Sequence, residues 1–200
     1  MRTAARTTSP GSDSLETHGG AIVNIIRSSG AIAEFARARF EAAGLAIAAA
    51  DGTPIVPDWF PLDVNLRVLD DIAHAFGEAA VFQIGRSVPD HARFPPDIRD
   101  LGGALLMLDV AFHANHRLGG AVMYDPATGN MLDGIGHYRF ELSAPDVLIG
   151  DSTSVYPCSF DEGIISGLAG RFDPAASVKH LADGPCRKRG NVGCSYFVSR

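Results

Sequence analysis

The chain has 200 residues, 46% of them apolar and 20% charged, with a net charge of −6 from 17 basic and 23 acidic side chains. That is length enough for one domain with a sizeable core, and the acidic balance argues against a nucleic-acid binder, which needs a basic face. No apolar run approaches the roughly 18 residues of a membrane span, and residues 1–20 lack the apolar centre of a signal peptide, so the expected location is the cytoplasm, where thiols stay reduced.

Residues 1–18 are rich in Ser, Thr and Arg and are expected to form a disordered tail, leaving 19–200 as a single domain. Ala21–Ile26 is a short apolar run, either a strand or the first turn of a helix. Ser28 or Ser29 can cap a helix reaching about Gly44, with Ile32, Phe35, Ala36, Phe40 and Ala43 on one face. Asp51-Gly52 with Pro54, Pro57 and Pro61 predicts an irregular connection. A helix then starts near Leu62 and carries Leu66, Leu69, Ile72, Ala73 and Phe76 at 3-4 spacing up to Gly77. A further helical piece is expected to stop at Gly85, and the next helix to run from Pro95-Pro96 to Arg117 with Leu101, Leu105, Leu108 and Phe112 in its core stripe.

After Gly120 the period shortens to that of strands. Ala121–Tyr124, Ile135–Leu142 and Val147–Ile149 read as strands, followed by a helix over about 159–172 and strands near 177–181 and 195–199. The expected fold class is α+β: N-terminal helices packed on a twisted antiparallel sheet, with one late crossover helix. Gly163, Gly167 and Gly170 fall on one side of that helix and are read as close packing on the sheet.

All three cysteines lie in the last 43 residues, each beside a break in regular structure. Cys158 follows Pro157 at a helix start, where the backbone favours a thiolate. Cys186 and Cys194 flank a loop holding Gly190 and Gly193, and within it Arg187-Lys188-Arg189 reads as a solvated turn. Thiolates are good zinc ligands, and Asp183 or His180 could complete a tetrahedron at a structural site. The alternative is three reduced thiols packed as small hydrophobes.

The run Cys158, Gly163/Gly167, Asp183, Cys186, Gly190, Cys194 and Phe197 resembles the vinyl-4-reductase domain over about the last 45 residues. That family shares its fold with small trafficking subunits of the TRAPP complex, and haem-nitric-oxide sensors are a distantly similar architecture. The resemblance implies a sensor of small aromatic compounds with a zinc site of three cysteines and one acidic residue, here Cys158, Asp183, Cys186 and Cys194. Asp183 stands where the family usually has Glu, and no output domain is attached, so a separate output protein is implied.

A second constellation is Asp109, His113 and His116, whose i, i+4, i+7 spacing places them on one helix face. Two histidines and a carboxylate can hold a catalytic metal or move protons, and the same histidines could line a pocket or bind haem iron. With no CxxCH motif, haem is disfavoured and zinc is the expected cofactor. On the strand beyond, alternation puts His137 and Arg139 on one face and Tyr138 and Phe140 on the other. The residues assigned to an apolar ligand pocket are Trp59, Phe82, Phe112, His113, His116, Tyr124, His137 and Tyr138.

The sequence thus favours a non-enzymatic ligand-binding sensor domain for a small apolar or aromatic molecule, compatible with a homodimer. The alternatives are a metal-dependent enzyme built on Asp109, His113 and His116, or an interaction subunit without ligand.

Overall fold

The computed structural model describes residues 14–28, 32–50, 53–91, 98–144 and 147–199. In chain order the elements are β1 (Leu15–His18), α1 (Gly20–Ser28), α2 (Ala33–Ala42), β2 (Ala48–Ala50), β3 (Thr53–Ile55), β4 (Trp59–Pro61), α3 (Leu62–Phe76) and α4 (Glu78–His91). There follow α5 (Leu101–Ala114), β5 (His116–Leu118), β6 (Ala121–Val122), β7 (Tyr138–Ala144), β8 (Val147–Ser152), α6 (Cys158–Phe172), β9 (Ser177–His180) and β10 (Cys194–Ser199). The α+β class expected from the sequence is the one observed.

One sheet has the order β4-β1-β5-β6 and a second the order β7-β8-β10-β9, while β2 and β3 form a hairpin. All the pairings are antiparallel. Along β7, Tyr138 and Phe140 are buried and Arg139 and Glu141 exposed, the alternation that lets one sheet face pack while the other stays wet. Helix α5 lies against β7, and α6 against β9 and β10.

Helix α3 forms where expected. It buries Leu62, Asn65, Leu69 and Ile72 at 3-4 spacing, and Gly77 ends it at φ 84°. Helix α5 begins later than Pro95-Pro96, which lies outside the described residues. Asp100 caps it by accepting from the Gly103 N–H at 2.8 Å. It also ends earlier, at Ala114, and the chain turns at Asn115 into β5. Ser29 lies outside the described residues, and α2 has Ile32 as its N-cap with no side-chain cap bond. No helix among the described residues is long and apolar enough to cross a membrane.

Three expectations are corrected. Of the tail, residues 1–13 lie outside the description, but Leu15–His18 is a strand held between β4 and β5. The proline-rich connection contains β3 and β4, because a three-residue edge segment can pair without the N–H that proline lacks. Gly85 does not end a helix; α4 runs through it to His91.

Gly85 has another task. A Cβ there would lie 2.3 Å from the Phe160 carbonyl oxygen of α6. One at Gly163 would lie 2.2 Å from Phe82 O, and one at Gly167 2.0 Å from Arg86 O. Gly163 and Gly167 of α6 therefore pack on α4 rather than on the sheet, while a Cβ at Gly170 would meet nothing within 4 Å. Gly163→Ala is expected to destabilise the fold by about 1–3 kcal/mol or more through overpacking, although Gly→Ala inside a helix ordinarily stabilises by about 1 kcal/mol. Urea unfolding reads the sign directly. With Gly85→Ala added, the second substitution should cost less than it does alone, since the helices are already apart.

Candidate functional site

Three places in the fold bring chemical groups together. At the start of α6, Cys158 Sγ lies 3.1 Å from Cys194 Sγ and 3.9 Å from Cys186 Sγ. All three sulfurs are buried, reduced and within 4.8 Å of one another. Cys194 opens β10 opposite Ser152 of β8, and Gly190 at φ 82° closes the turn that returns the chain from Cys186. Burial pushes the Cys194 thiol up to about 12. Burial acts on Cys186 too, but the Lys188 backbone N–H and the neighbouring sulfurs more than offset it, leaving that thiol below its ordinary value. Three sulfurs so placed could hold a thiophilic cation. Asp183 is exposed and lies outside the sulfur group, and so does His180, whose ring tilts onto Tyr196 at 5.2 Å.

Beside the sulfurs runs a buried polar network that sequence reasoning did not find. Asp161, wholly buried in the first turn of α6, accepts from Tyr138 Oη at 2.5 Å, Ser152 Oγ at 2.8 Å, Ser154 Oγ at 2.9 Å and Arg187 Nη2 at 2.5 Å. Burial pushes its carboxyl above the ordinary value, against the opposing pull of Arg187 and the donating hydroxyls. Arg187 also donates to Tyr156 O at 2.8 Å and Ser152 O at 3.0 Å. It is therefore not part of a solvated turn; Lys188 instead pairs with Glu78 at 2.8 Å on the surface.

The second place is a cavity of about 580 Å³ bounded by α1, α3, α4, α5, α6, β1, β5 and β7. Ala21, Ile25, Val88, Leu108, Phe112, Phe160, Ile164 and Leu168 give it an apolar wall. Pro89, inside α4, adds to that wall and cannot donate to the carbonyl four residues back. The exposed lining residues His18, Ala111, Ala114 and Asn115 mark its mouth.

Deep in this wall, His116 Nδ1 lies 2.6 Å from Phe112 O, which can only accept, so Nδ1 carries the proton. Nε2 then holds the lone pair and accepts from Tyr156 Oη at 2.9 Å, while that hydroxyl accepts from Asn65 Nδ2 at 3.3 Å. Burial lowers the His116 pKa to about 4, so the ring is neutral at pH 7. Asn65 Oδ1, also buried, has no partner.

Of the expected pocket residues, Phe112, His116 and Tyr138 line this cavity. The others do not. Trp59 packs edge-on against His18 at 5.3 Å with Arg117 over its ring, Phe82 lies on the α4–α6 crossing, and Tyr124 bridges to Met131 in a turn. His113 stacks on His137 at 4.7 Å, away from the cavity, and His137 lines a separate surface cleft of about 510 Å³. The proposed Asp109–His113–His116 face fails for a plain reason: α5 ends at Ala114, so His116 sits on a strand and turns the other way.

That leaves the third place, where Asp109, His113 and His137 gather instead, one ligand atom from each within 4.8 Å of the others. Asn65 was legible in principle, since it interrupts the apolar stripe between Leu62 and Leu69 with a polar side chain. Tyr156 carried no comparable signal.

No family model matches the chain, and no curated protein sequence does. Solved structures do. A mutant of H-NOX from T. tengcongensis superposes with a TM-score of 0.61 at 13% identity, covering 91% of this chain and 96% of that one. An H-NOX protein from S. oneidensis in an Fe(II)NO ligation state gives 0.59 at 13%, covering 90% and 98%. A structure described as modulating haem redox potential through porphyrin distortion gives 0.57 at 14%, covering 92% and 99%. That structure and a further one, described as probing haem distortion in the H-NOX family, are haem proteins, which overturns the expectation of zinc as cofactor with haem disfavoured. At this identity the likeness shows the fold: the chain has the architecture of the H-NOX domains.

Proposed function

We propose that this chain is a small-molecule-sensing domain whose cavity between α1, α5 and α6 holds haem, with His116 Nε2 as the iron ligand. The observation that carries the reading is a buried, neutral imidazole in the wall of an apolar cavity of about 580 Å³. Cavities of roughly 300–1,000 Å³ with few polar groups suit cofactors. A ligating histidine typically donates its other ring N–H to a carbonyl, as Nδ1 does here to Phe112 O. The residues present fit the group on these grounds. When bound, haem supplies an iron centre for a small gaseous ligand.

The chain's own residues do the remaining work. Phe112 O fixes the tautomer and the ring plane of His116. Tyr156 Oη, now on Nε2, must move aside for any other partner, and it stays protonated at pH 7 because burial raises its pKa to about 12. The stacked ring of Phe160, 5.0 Å from that of Tyr156, and the other apolar side chains exclude water. No Arg or Lys stands among the described lining residues, so the groups open to a ligand carboxylate are Thr17, His18, Asn24 and Asn115.

Titration of the purified chain with haemin tests the reading by the Soret band. A shifted band saturating at one haemin per chain is expected, with affinity about tenfold or more weaker in His116→Ala. Identical titrations of the two proteins would remove His116 from the role.

A second reading keeps the cavity and drops the iron: a small apolar or aromatic molecule, as the vinyl-4-reductase resemblance implies. The Tyr156 hydroxyl already on His116 Nε2 and the lack of cations among the described lining residues favour it. Such a ligand would raise the melting temperature without a Soret band. In either reading the signal passes to a separate output protein.

A further inference from the structure

Asp109 on α5 is 16% exposed at its side chain and sits between two imidazoles, His113 at 0% and His137 at 21%. Asp109 Oδ1 accepts the Tyr138 backbone N–H at 2.9 Å, and Oδ2 lies 2.9 Å from His137 Nδ1. His113 Nδ1 lies 2.8 Å from the Asp109 carbonyl oxygen, which fixes it as the protonated nitrogen. Its other nitrogen, Nε2, is buried and has no hydrogen-bond partner. A wholly buried acceptor with nothing donating to it is costly, and an imidazole lone pair held on a carbonyl-anchored ring is the usual form of a metal ligand.

We infer that Asp109, His113 and His137 form a site for a divalent first-row transition cation, separate from both the cavity and the sulfurs. Donors around such an ion, at about 2.0–2.2 Å from it, stand roughly 2.9–3.5 Å apart. The contact of 2.9 Å from Asp109 Oδ2 to His137 Nδ1 is of that size, and one ligand atom from each of the three residues lies within 4.8 Å of the others. Each ligand also has its support. His137 Nε2 lies 3.4 Å from the exposed Asp133 Oδ1, so that ring can donate there while Nδ1 faces the ion. Two imidazoles and one carboxylate suit Fe(II), Co(II) or Ni(II) and leave coordination positions open. The cleft of about 510 Å³, lined by His137, Gly134, Gly136 and Asp151, gives access from solvent. Without an ion, the Asp109–His137 pair braces α5 against β7.

Cobalt distinguishes this site from the cysteines, because thiolate ligation adds an intense near-ultraviolet charge-transfer band that nitrogen and oxygen donors lack. Chelator-washed full chain is titrated with Co(II) and followed by absorbance and calorimetry. The expected result is one Co(II) with only weak visible bands, retained in Cys186→Ser and bound about tenfold or more weakly in Asp109→Asn and His137→Gln. Asparagine preserves the acceptor for the Tyr138 N–H, and thermal melts confirm that both variants are folded. The inference is overturned by no uptake, by uptake with thiolate bands alone, or by affinities unchanged in both folded variants.

Discussion

Replacing Asp161 by alanine is expected to lower the stability of the domain by about 3–5 kcal/mol, the cost of breaking a buried ion pair from one side. The carboxylate is wholly buried and satisfies Tyr138, Ser152, Ser154 and Arg187 at once. Its loss leaves the half-buried Arg187 guanidinium without its counter-ion and three hydroxyls without their acceptor, in surroundings where water is scarce. Against a total of about 5–15 kcal/mol for an ordinary domain, that is a fifth or more of the whole. Urea unfolding measures it. Tyr138→Phe removes one of the donors and should cost only about 1 kcal/mol. In the double variant Asp161→Ala with Arg187→Met both charges are gone, so part of the loss should return. A drop below about 1 kcal/mol in Asp161→Ala would show that water reaches the site and that the network is ornamental to stability. The same substitution should loosen the cavity, since Arg187 holds the Tyr156 carbonyl and Tyr156 faces His116.

The elements whose period is sustained could be read without the structure. Helix α3 runs from Leu62 to Phe76 as its 3-4 stripe says, and β7 alternates as His137 to Phe140 say. What escaped depends on partners far along the chain. Leu15–His18 looks like polar tail because its two neighbouring strands begin at Trp59 and His116. Gly85 looks like a helix stop because the helix that needs its bare backbone passes at Phe160 to Ile164. Sites follow the same rule. The three cysteines stand out by spacing and do meet, whereas Asp161 in the first turn of a helix reads as ordinary compensation of the helix dipole. Only the sheet, with Ser152 on β8 and Tyr138 on β7, and the turn between β9 and β10, with Arg187, bring these groups around it. His116 was recognised but placed on the wrong face, since the end of α5 at Ala114, one turn too soon, has no glycine or proline to mark it.

Lowering the pH from 7 to 4 is expected to cost the domain about 3 kcal/mol through His116 alone. The imidazole titrates near 6.5 in an unfolded chain and near 4 here, pushed down mainly by burial. Between those values the unfolded chain binds a proton that the native one refuses. Unfolding therefore takes up protons, and stability must rise with pH across that window and fall as pH drops through it, levelling below about 4 once both forms are protonated. The difference between 6.5 and about 4 corresponds to about 3 kcal/mol at the acid limit. Carboxylates titrate over the lower part of the same range, so the measurement is the difference between the wild type and His116→Gln. Glutamine can still accept from Tyr156 Oη but does not titrate. The variant should be the less stable at pH 7, where the fitted imidazole is lost, and the gap should close or reverse by pH 4. Parallel stability curves over pH 4–7 would mean that the native ring takes up its proton as readily as the unfolded one. A ring so accessible to protons would not suit the iron-ligand role proposed for His116.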